Sequence, residues 1–226
     1  PPGHIFGLTM SNAVGDTTND ITIAAGSVRS DDDTTDMVIS ASITKQIDAA
    51  WAVGDAAGGM NTGSVANSTW YEVLVIKRTD TNVVDIMFST TANRATLPTN
   101  YTKKRRIGWV RRGTATNLQF TQVDDHFTLT TQVNDAAGTS VTTTATAVTL
   151  TVPPSSIARF RASLSGSGGA GNNDIIVFSE IVEGNVTPAV STGIVSLSAN
   201  GATDAAGHFE LRASSTSTIE HDGVVP

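Results

Sequence analysis

Six basic side chains fall within ten residues and form the most concentrated charge in the chain. They are six of its 14 Lys and Arg residues: Lys103, Lys104, Arg105, Arg106, Arg111 and Arg112. Such a cluster can bind an acidic glycan, a lipopolysaccharide phosphate or an acidic neighbouring subunit. It can equally be the charged end of an edge hairpin, where charge resists pairing with another sheet. We therefore treat these residues as a candidate subunit or ligand contact.

Four aspartates in the segment Ser30–Asp36 offer the hard oxygen ligands that calcium prefers. These residues are Asp31, Asp32, Asp33 and Asp36. The spacing is not that of a D-x-D-x-D-G calcium loop, and consecutive side chains alternate in direction along an extended chain. The pattern favours a solvated loop, and we predict no metal site.

General acid–base chemistry has a single local candidate, the run Asp124, Asp125 and His126. A histidine beside carboxylates is typical of a general base, but no nucleophile can be paired with it in the sequence. A surface turn is the simpler interpretation of this run. We predict no catalytic residues and no cofactor.

Glycan hydrolysis would instead need two carboxylates roughly 5–10 Å apart in a groove. Four carboxylates lie on or near expected strands and could converge there: Asp85, Glu180, Glu183 and Glu210. Nothing in the sequence pairs them. A glycan depolymerase is therefore kept only as an alternative function.

Aromatic side chains are few, at 5% of residues, and several could serve as platforms for sugar stacking. The candidates are Trp70, Tyr71 and Trp109, with Trp51 as a further one. Each lies within an apolar pattern, so packing in the core is the default expectation.

The elements that must position these residues have the two-residue period of strands. Trp70–Lys77 is apolar on both faces, which predicts a central strand. A tight turn at Thr79–Asn82 leads into Val83–Phe88, which we expect to pair with it as an antiparallel hairpin. Arg105–Arg112 and Leu118–Val123 are expected to form a second hairpin.

Only Lys45–Val53 is ambiguous. Ile43, Ile47 and Trp51 have helical spacing, yet the same segment also alternates as a strand would. We favour one or two helical turns that place Trp51 in the core.

Threonine becomes dense after Val123, where charges thin out. We place a boundary there, between an N-terminal β region, 1–123, and a C-terminal β region, 124–226, unless both form one continuous sandwich. Strands in the second region recur at roughly 8–15 residues, as in sandwiches and jelly rolls. The predicted fold is all-β, an antiparallel sandwich or jelly-roll-like domain with at most one or two short helices.

Bulk properties exclude several classes of function. The net charge of −7 argues against general nucleic-acid binding, which normally needs a positive face. The chain has no cysteine, which excludes structural disulfides and thiolate metal sites. No stretch approaches the roughly 18 apolar residues of a membrane span, so no membrane insertion is expected.

Residues 43–108 carry a resemblance to a known family. They contain DAAWAVG, the turn GGMNTG, the hairpin segment RTDTNVVD and KKRRIG, in that order. This order resembles a family of bacteriophage and prophage tail or fibre proteins, and the similarity continues more weakly to about Arg212. The resemblance implies a component of a phage or phage-like particle, and it carries over no catalytic residues.

The function expected from this resemblance is that of a virion structural protein. It would be a tail fibre or receptor-binding subunit, a homo-oligomer and by analogy a trimer, that contacts other virion proteins. Multivalent contact with a host cell-surface polysaccharide would supply attachment. A head fibre or capsid decoration protein, a glycan depolymerase and a carbohydrate-binding module are the alternatives.

Overall fold

The chain forms an all-β protein with two compact units, Pro1–Gln132 and Val133–Pro226. The computed structural model describes residues 2–136, 146–165, 173–179, 195–200 and 204–224. No helix in these described ranges is long and apolar enough to cross a membrane. The division falls after Gln132, beyond the boundary expected at Val123. Val123 pairs with His126 across a tight turn, so it lies inside a hairpin.

The first unit holds twelve strands of 3 to 12 residues. They are β1 (Ile5–Gly7), β2 (Met10–Asn12), β3 (Asp20–Ile23), β4 (Gly26–Arg29), β5 (Asp36–Ile39), β6 (Ile43–Ala50), β7 (Ala57–Met60), β8 (Thr69–Arg78), β9 (Val84–Ser89), β10 (Tyr101–Arg112), β11 (Phe120–Val123) and β12 (His126–Leu129). Seven of them form one sheet in the order β10-β8-β9-β7-β6-β3-β2. The strands β1-β4-β5 and β11-β12 form two smaller sheets.

Most pairs are antiparallel, as expected, but β7 pairs in parallel with both β6 and β9. The predicted hairpin of β8 and β9 is present, and Val75 lies opposite Ile86. Its turn closes through a hydrogen bond from the Arg78 amide to the Val83 carbonyl. Asn82 has a positive φ of 60° there, a conformation that asparagine tolerates better than most residues.

The central strand β8 is buried on both faces, as its sequence predicts. Tyr71, Val73 and Val75 join the larger apolar core with residues of β3, β6 and β9. Leu74 and Ile76, on the opposite face, pack with Met87 and Tyr101 in a smaller core. The segment between β9 and β10 contributes Leu97 to this second cluster.

The helical turns predicted for Lys45–Val53 are wrong. Residues 43–50 form strand β6, in which Ile43, Lys45 and Ile47 are buried at alternate positions. The two-residue period of a strand applies because Lys45 is itself buried. A charged residue at that position interrupts the apolar alternation in the sequence, which is what made the pattern look helical.

The predicted second hairpin is replaced by two different pairings. Strand β10 pairs along its length with β8, and β11 pairs with β12. Between the end of β10 and the start of β11, the structure has only an isolated bridge from Arg112 to Asn117.

The second unit contains β13 (Thr146–Thr149), β14 (Ile157–Ser165), β15 (Asn173–Ser179), β16 (Val195–Asn200), β17 (Asp204–Arg212) and β18 (Thr218–Val224). They form a four-stranded sheet, β13-β18-β15-β16, and a two-stranded sheet, β14-β17. Phe160, Phe178 and Phe209 pack against one another at its centre, with ring centroids 5.2–5.7 Å apart. Leu150, Leu211 and Ile219 complete this core.

Candidate functional site

Strand β10 divides the predicted basic cluster between its two faces. Arg106 lies opposite Leu74 of β8, and Arg111 lies opposite Trp70. A bulge between Arg106 and Gly108 shifts the register, so that Trp109 points to the same side as both arginines. Lys104 also belongs to this side, whereas Lys103, Arg105 and Arg112 belong to the other.

One face therefore combines both groups of candidate residues, and we call it the arginine–tryptophan face. It consists of Trp70, Glu72, Arg94, Lys104, Arg106, Trp109 and Arg111. The Arg106 guanidinium lies 5.0 Å from the centre of the Trp109 ring, and the Arg111 guanidinium lies 5.5 Å from that of Trp70. Both distances suit cation–π attraction. Both tryptophans are half-buried.

Glu72 organises the arginines of this face. Its side chain is 0% exposed and pairs with Arg106 at 3.2 Å and with Arg94 at 3.3 Å. Arg94 also reaches Asp31 at 3.2 Å. The side chains of Arg94 and Arg106 remain 32% and 43% exposed beside the buried carboxylate. With Asp31 counted, the four cations of this face lie near two carboxylates, in a chain whose net charge is −7.

The aspartate-rich loop lies beside β10 and also pairs with the basic residues of its other face. Lys103 pairs with Asp32 at 2.5 Å, and Arg105 lies 3.8 Å from Asp31. The Asp31 amide also donates to the Lys104 carbonyl, which occupies part of the exposed edge of the sheet. The loop expected to be solvated is therefore fastened to the basic strand. Among the described residues, no group of three or more His, Cys, Asp and Glu is arranged to hold a metal ion.

Two predicted site residues are unavailable at the surface. Tyr71 is 2% exposed, and its hydroxyl accepts a hydrogen bond from the Ala66 amide, so it cannot be a stacking platform. Arg112 is buried and donates to the carbonyls of Thr18 and Ala115, each at 2.7 Å. These bonds hold the loops of Thr18 and Ala115 together, so the Arg112 guanidinium is not available to a ligand.

Of the four carboxylates considered for glycan hydrolysis, the structure describes two, and each belongs to a different unit. Asp85 is buried in the first unit, while Glu210 pairs with Arg159 in the second unit at 2.7 Å. Glu180 and Glu183 lie outside the described residues. Asp124 and Asp125 form the turn between β11 and β12, and the His126 imidazole lies 3.6 Å from Asp125 with both side chains exposed.

A groove beside the arginine–tryptophan face is a feature that the sequence did not reveal. Its volume is about 640 Å³, and Trp51, Leu97 and Tyr101 form part of its wall. Trp51 meets Tyr101 edge to face, with ring centroids 5.1 Å apart. Trp51 was a candidate stacking platform from its sequence pattern. Tyr101, which lies in an expected loop at the start of the basic run, was not.

A buried ion pair holds one wall of this groove. The Lys45 ammonium lies 3.2 Å from Asp85 and donates to the carbonyls of Ala52 and Gly54 at 2.5 and 3.0 Å. Asp85 accepts the Gly54 amide at 2.8 Å. These bonds fix the segment after β6, to which Trp51 belongs. Burial lowers the pKa of Lys45, and the Asp85 carboxylate opposes that shift.

No family model, curated protein or solved structure matches this chain. The resemblance to phage tail and fibre proteins over residues 43–108 stays a prediction. The geometry of the arginine–tryptophan face and of the groove supplies the physical basis for the proposals below.

Proposed function

We propose that this chain is a structural subunit of a phage or phage-like particle that attaches to acidic polysaccharide on a host surface. A tail fibre or receptor-binding subunit is the form that the resemblance favours. The observation that carries the proposal is the arginine–tryptophan face, where the exposed Arg106, the half-buried Arg111 and two half-buried indole rings share one surface.

Acidic sugars suit this face on chemical grounds. A guanidinium presents a planar set of donors that match a carboxylate in pairs. An indole beside it offers an apolar surface to the C–H face of a sugar ring. Because Glu72 already holds Arg94 and Arg106 in place, little side-chain entropy is lost when a ligand binds. The ligand must be flat and extended, since the face is a sheet surface and not a pocket.

Attachment through such a face would be weak in one copy. Binding by an oligomer multiplies weak contacts, because each further contact is intramolecular after the first. The expected trimer would present three such faces to a repetitive polysaccharide. Light scattering on the purified chain tests this element, and a mass that stays at 23.4 kDa would argue against a multivalent fibre.

Binding to pectate, compared with its methyl ester, tests the ligand class directly. Both polymers share a backbone, and only pectate has free carboxylates. We expect pectate to bind and the ester to bind at least about tenfold more weakly. Added salt should weaken the pectate complex, since exposed charges are screened within about 10 Å at 0.1 M salt. Equal binding of the two polymers would contradict the proposal.

Arginine variants locate that binding. The double variant Arg106→Gln and Arg111→Gln should lose pectate binding, whereas Arg159→Gln is the matched control. Arg159 is an exposed arginine of the second unit that pairs with Glu210. Loss of binding in the control alone would place the contact elsewhere.

Binding assays on host cells and on purified capsids distinguish the two virion roles. Binding to encapsulated host cells supports an attachment subunit. Binding to a purified capsid lattice, with no binding to cells, would instead support the alternative of a head fibre or capsid decoration protein.

A further inference from the structure

The groove beside the arginine–tryptophan face has the size and lining of a small-ligand site. Its volume of about 640 Å³ lies within the range of roughly 300–1,000 Å³ typical of such sites. It is bounded by the segment after β6, the turn between β8 and β9, and the segment before β10. The segment after β7 adds Asn61 and Thr62, and these four segments meet over the smaller core of Leu74, Ile76 and Met87.

The lining combines apolar and hydroxyl-bearing side chains. Aromatic and aliphatic surface comes from Trp51, Leu97 and Tyr101. Threonine hydroxyls surround it, contributed by Thr62, Thr81, Thr96 and Thr99. A sugar ring has the same division, with C–H groups on its faces and hydroxyls around its edge.

The one cationic side chain of the lining is neutralised by a neighbouring carboxylate. Arg78 is the one charged residue among the described residues of the lining. Its guanidinium makes two bonds to Asp80, at 3.0 and 2.7 Å. Arg78 in turn lowers the pKa of Asp80 to about 2, so the pair stays ionised at neutral pH. The groove therefore lacks the net charge that would select an acidic ligand.

We propose that this groove binds one or two rings of an uncharged saccharide. The site is distinct from the arginine–tryptophan face and does not depend on the proposed attachment to acidic polysaccharide. Trp51 would contact the ring face, and the threonine hydroxyls would contact its edge.

Two further observations support a ligand at this wall. The Tyr101 side chain is 6% exposed, and its buried hydroxyl has no hydrogen-bond partner among the described residues. An unpaired buried hydroxyl is unfavourable, and a ligand hydroxyl that reaches it from the groove would satisfy it. The Trp51 ring is also held in place, because its Nε1 donates to the Ile86 carbonyl at 2.9 Å. A fixed ring loses little entropy when a sugar stacks on it.

The test is a titration of the full chain with neutral oligosaccharides of glucose, galactose, mannose and N-acetylglucosamine. Saturation-transfer NMR detects contact with the sugar protons, and tryptophan fluorescence follows Trp51. Val53→Glu places a charge at the rim, at a side chain that is 61% exposed. The matched control is Val38→Glu, at a side chain outside the groove that is 56% exposed.

We expect at least one oligosaccharide to bind at millimolar concentration. Val53→Glu should weaken it about tenfold or more, and the control should change it less than about twofold. No binding by any of the four sugars, or equal binding by Val53→Glu, would overturn the proposal. Pectate binding by the same preparations reports on the arginine–tryptophan face, so failure of one site is distinguishable from failure of the other.

Discussion

Lys45 and Asp85 form an ion pair of 3.2 Å whose side chains are 0% and 1% exposed. Such a pair is stabilising only if the remaining donors and acceptors are also satisfied. Here they are, because the ammonium reaches two carbonyls and the carboxylate accepts the Gly54 and Ile86 amides. The pair thus joins β6, β9 and the wall of the groove into one polar cluster inside an apolar unit.

Breaking this pair from one side should be more costly than removing its charge altogether. Lys45→Met leaves the Asp85 carboxylate buried and unpaired, and we expect a loss of about 3–5 kcal/mol in the free energy of unfolding. Lys45→Met combined with Asp85→Asn keeps an acceptor for Gly54 without a charge. The double variant should therefore be less destabilised than the sum of the two single changes.

Urea unfolding followed by tryptophan fluorescence measures this cycle, because all three tryptophans lie in the first unit. Strictly additive effects of the two single changes would mean that the side chains act independently.

Gly58 is expected to tolerate no side chain. A methyl group on this residue of β7 would overlap the carbonyl oxygen of Ala50 in the neighbouring strand β6. Backbone cannot move aside as a flexible side chain can, so Gly58→Ala should cost at least about 1–3 kcal/mol. Gly15→Ala is the control, since no atom lies within 4 Å of the added methyl group. The two unfolding midpoints in urea give the comparison, and a stable Gly58→Ala variant would contradict the close approach of the strands.

The fold class and most strands of the first unit follow from local patterns. Trp70–Lys77 was correctly expected to be a central strand because both of its faces are apolar. Lys45 shows where such reasoning stops, since its burial depends on Asp85, 40 residues away. Periodicity cannot reveal a charge that is satisfied by a distant partner.

The candidate site was foreseeable by composition but not by arrangement. Arg106, Trp109 and Arg111 were candidates from residue type alone. Their common face depends on the bulge after Arg106, which no hydrophobic pattern marks. The pairing of Asp31 and Asp32 with the basic strand joins segments some 70 residues apart. The groove escaped notice for the same reason, because Trp51 and Tyr101 meet only in the fold.

Acid should release the aspartate loop from strand β10. The Lys103 ammonium, together with the Ser30 and Thr34 hydroxyls, lowers the pKa of Asp32 below its usual 3.8, and Arg29 lowers that of Asp36. A carboxyl whose pKa is lower in the folded state binds its proton more readily in the unfolded state. Its stabilisation is therefore complete above pH 3.8 and is lost as the pH falls through the folded pKa.

Lys103→Met tests this pH dependence. The variant should be less stable than the natural chain at neutral pH, and the difference should shrink as the pH falls below about 4. Lys77→Met is the matched control, because the Lys77 ammonium donates to the Asp36 backbone carbonyl, which does not titrate. A difference for Lys103→Met that stays constant with pH would show that the ion pair to Asp32 contributes nothing.

Arg111 and Arg112 are neighbours with opposite roles, and conservative changes should separate them. Arg112 is buried and uses two nitrogens on the Thr18 and Ala115 carbonyls. Lysine cannot make both bonds from one ammonium in the same geometry, so Arg112→Lys should lower the free energy of unfolding by about 2–3 kcal/mol. Arg111 stacks on Trp70 at the arginine–tryptophan face, and Arg111→Lys should cost less than about 1 kcal/mol.

The same Arg111→Lys variant should nevertheless bind pectate more weakly, because an ammonium does not engage a carboxylate with two parallel bonds. Urea unfolding and pectate binding on both variants give four values. A stable Arg112→Lys variant with reduced pectate binding would reverse the two assignments, and would move the contact surface to the other face of β10.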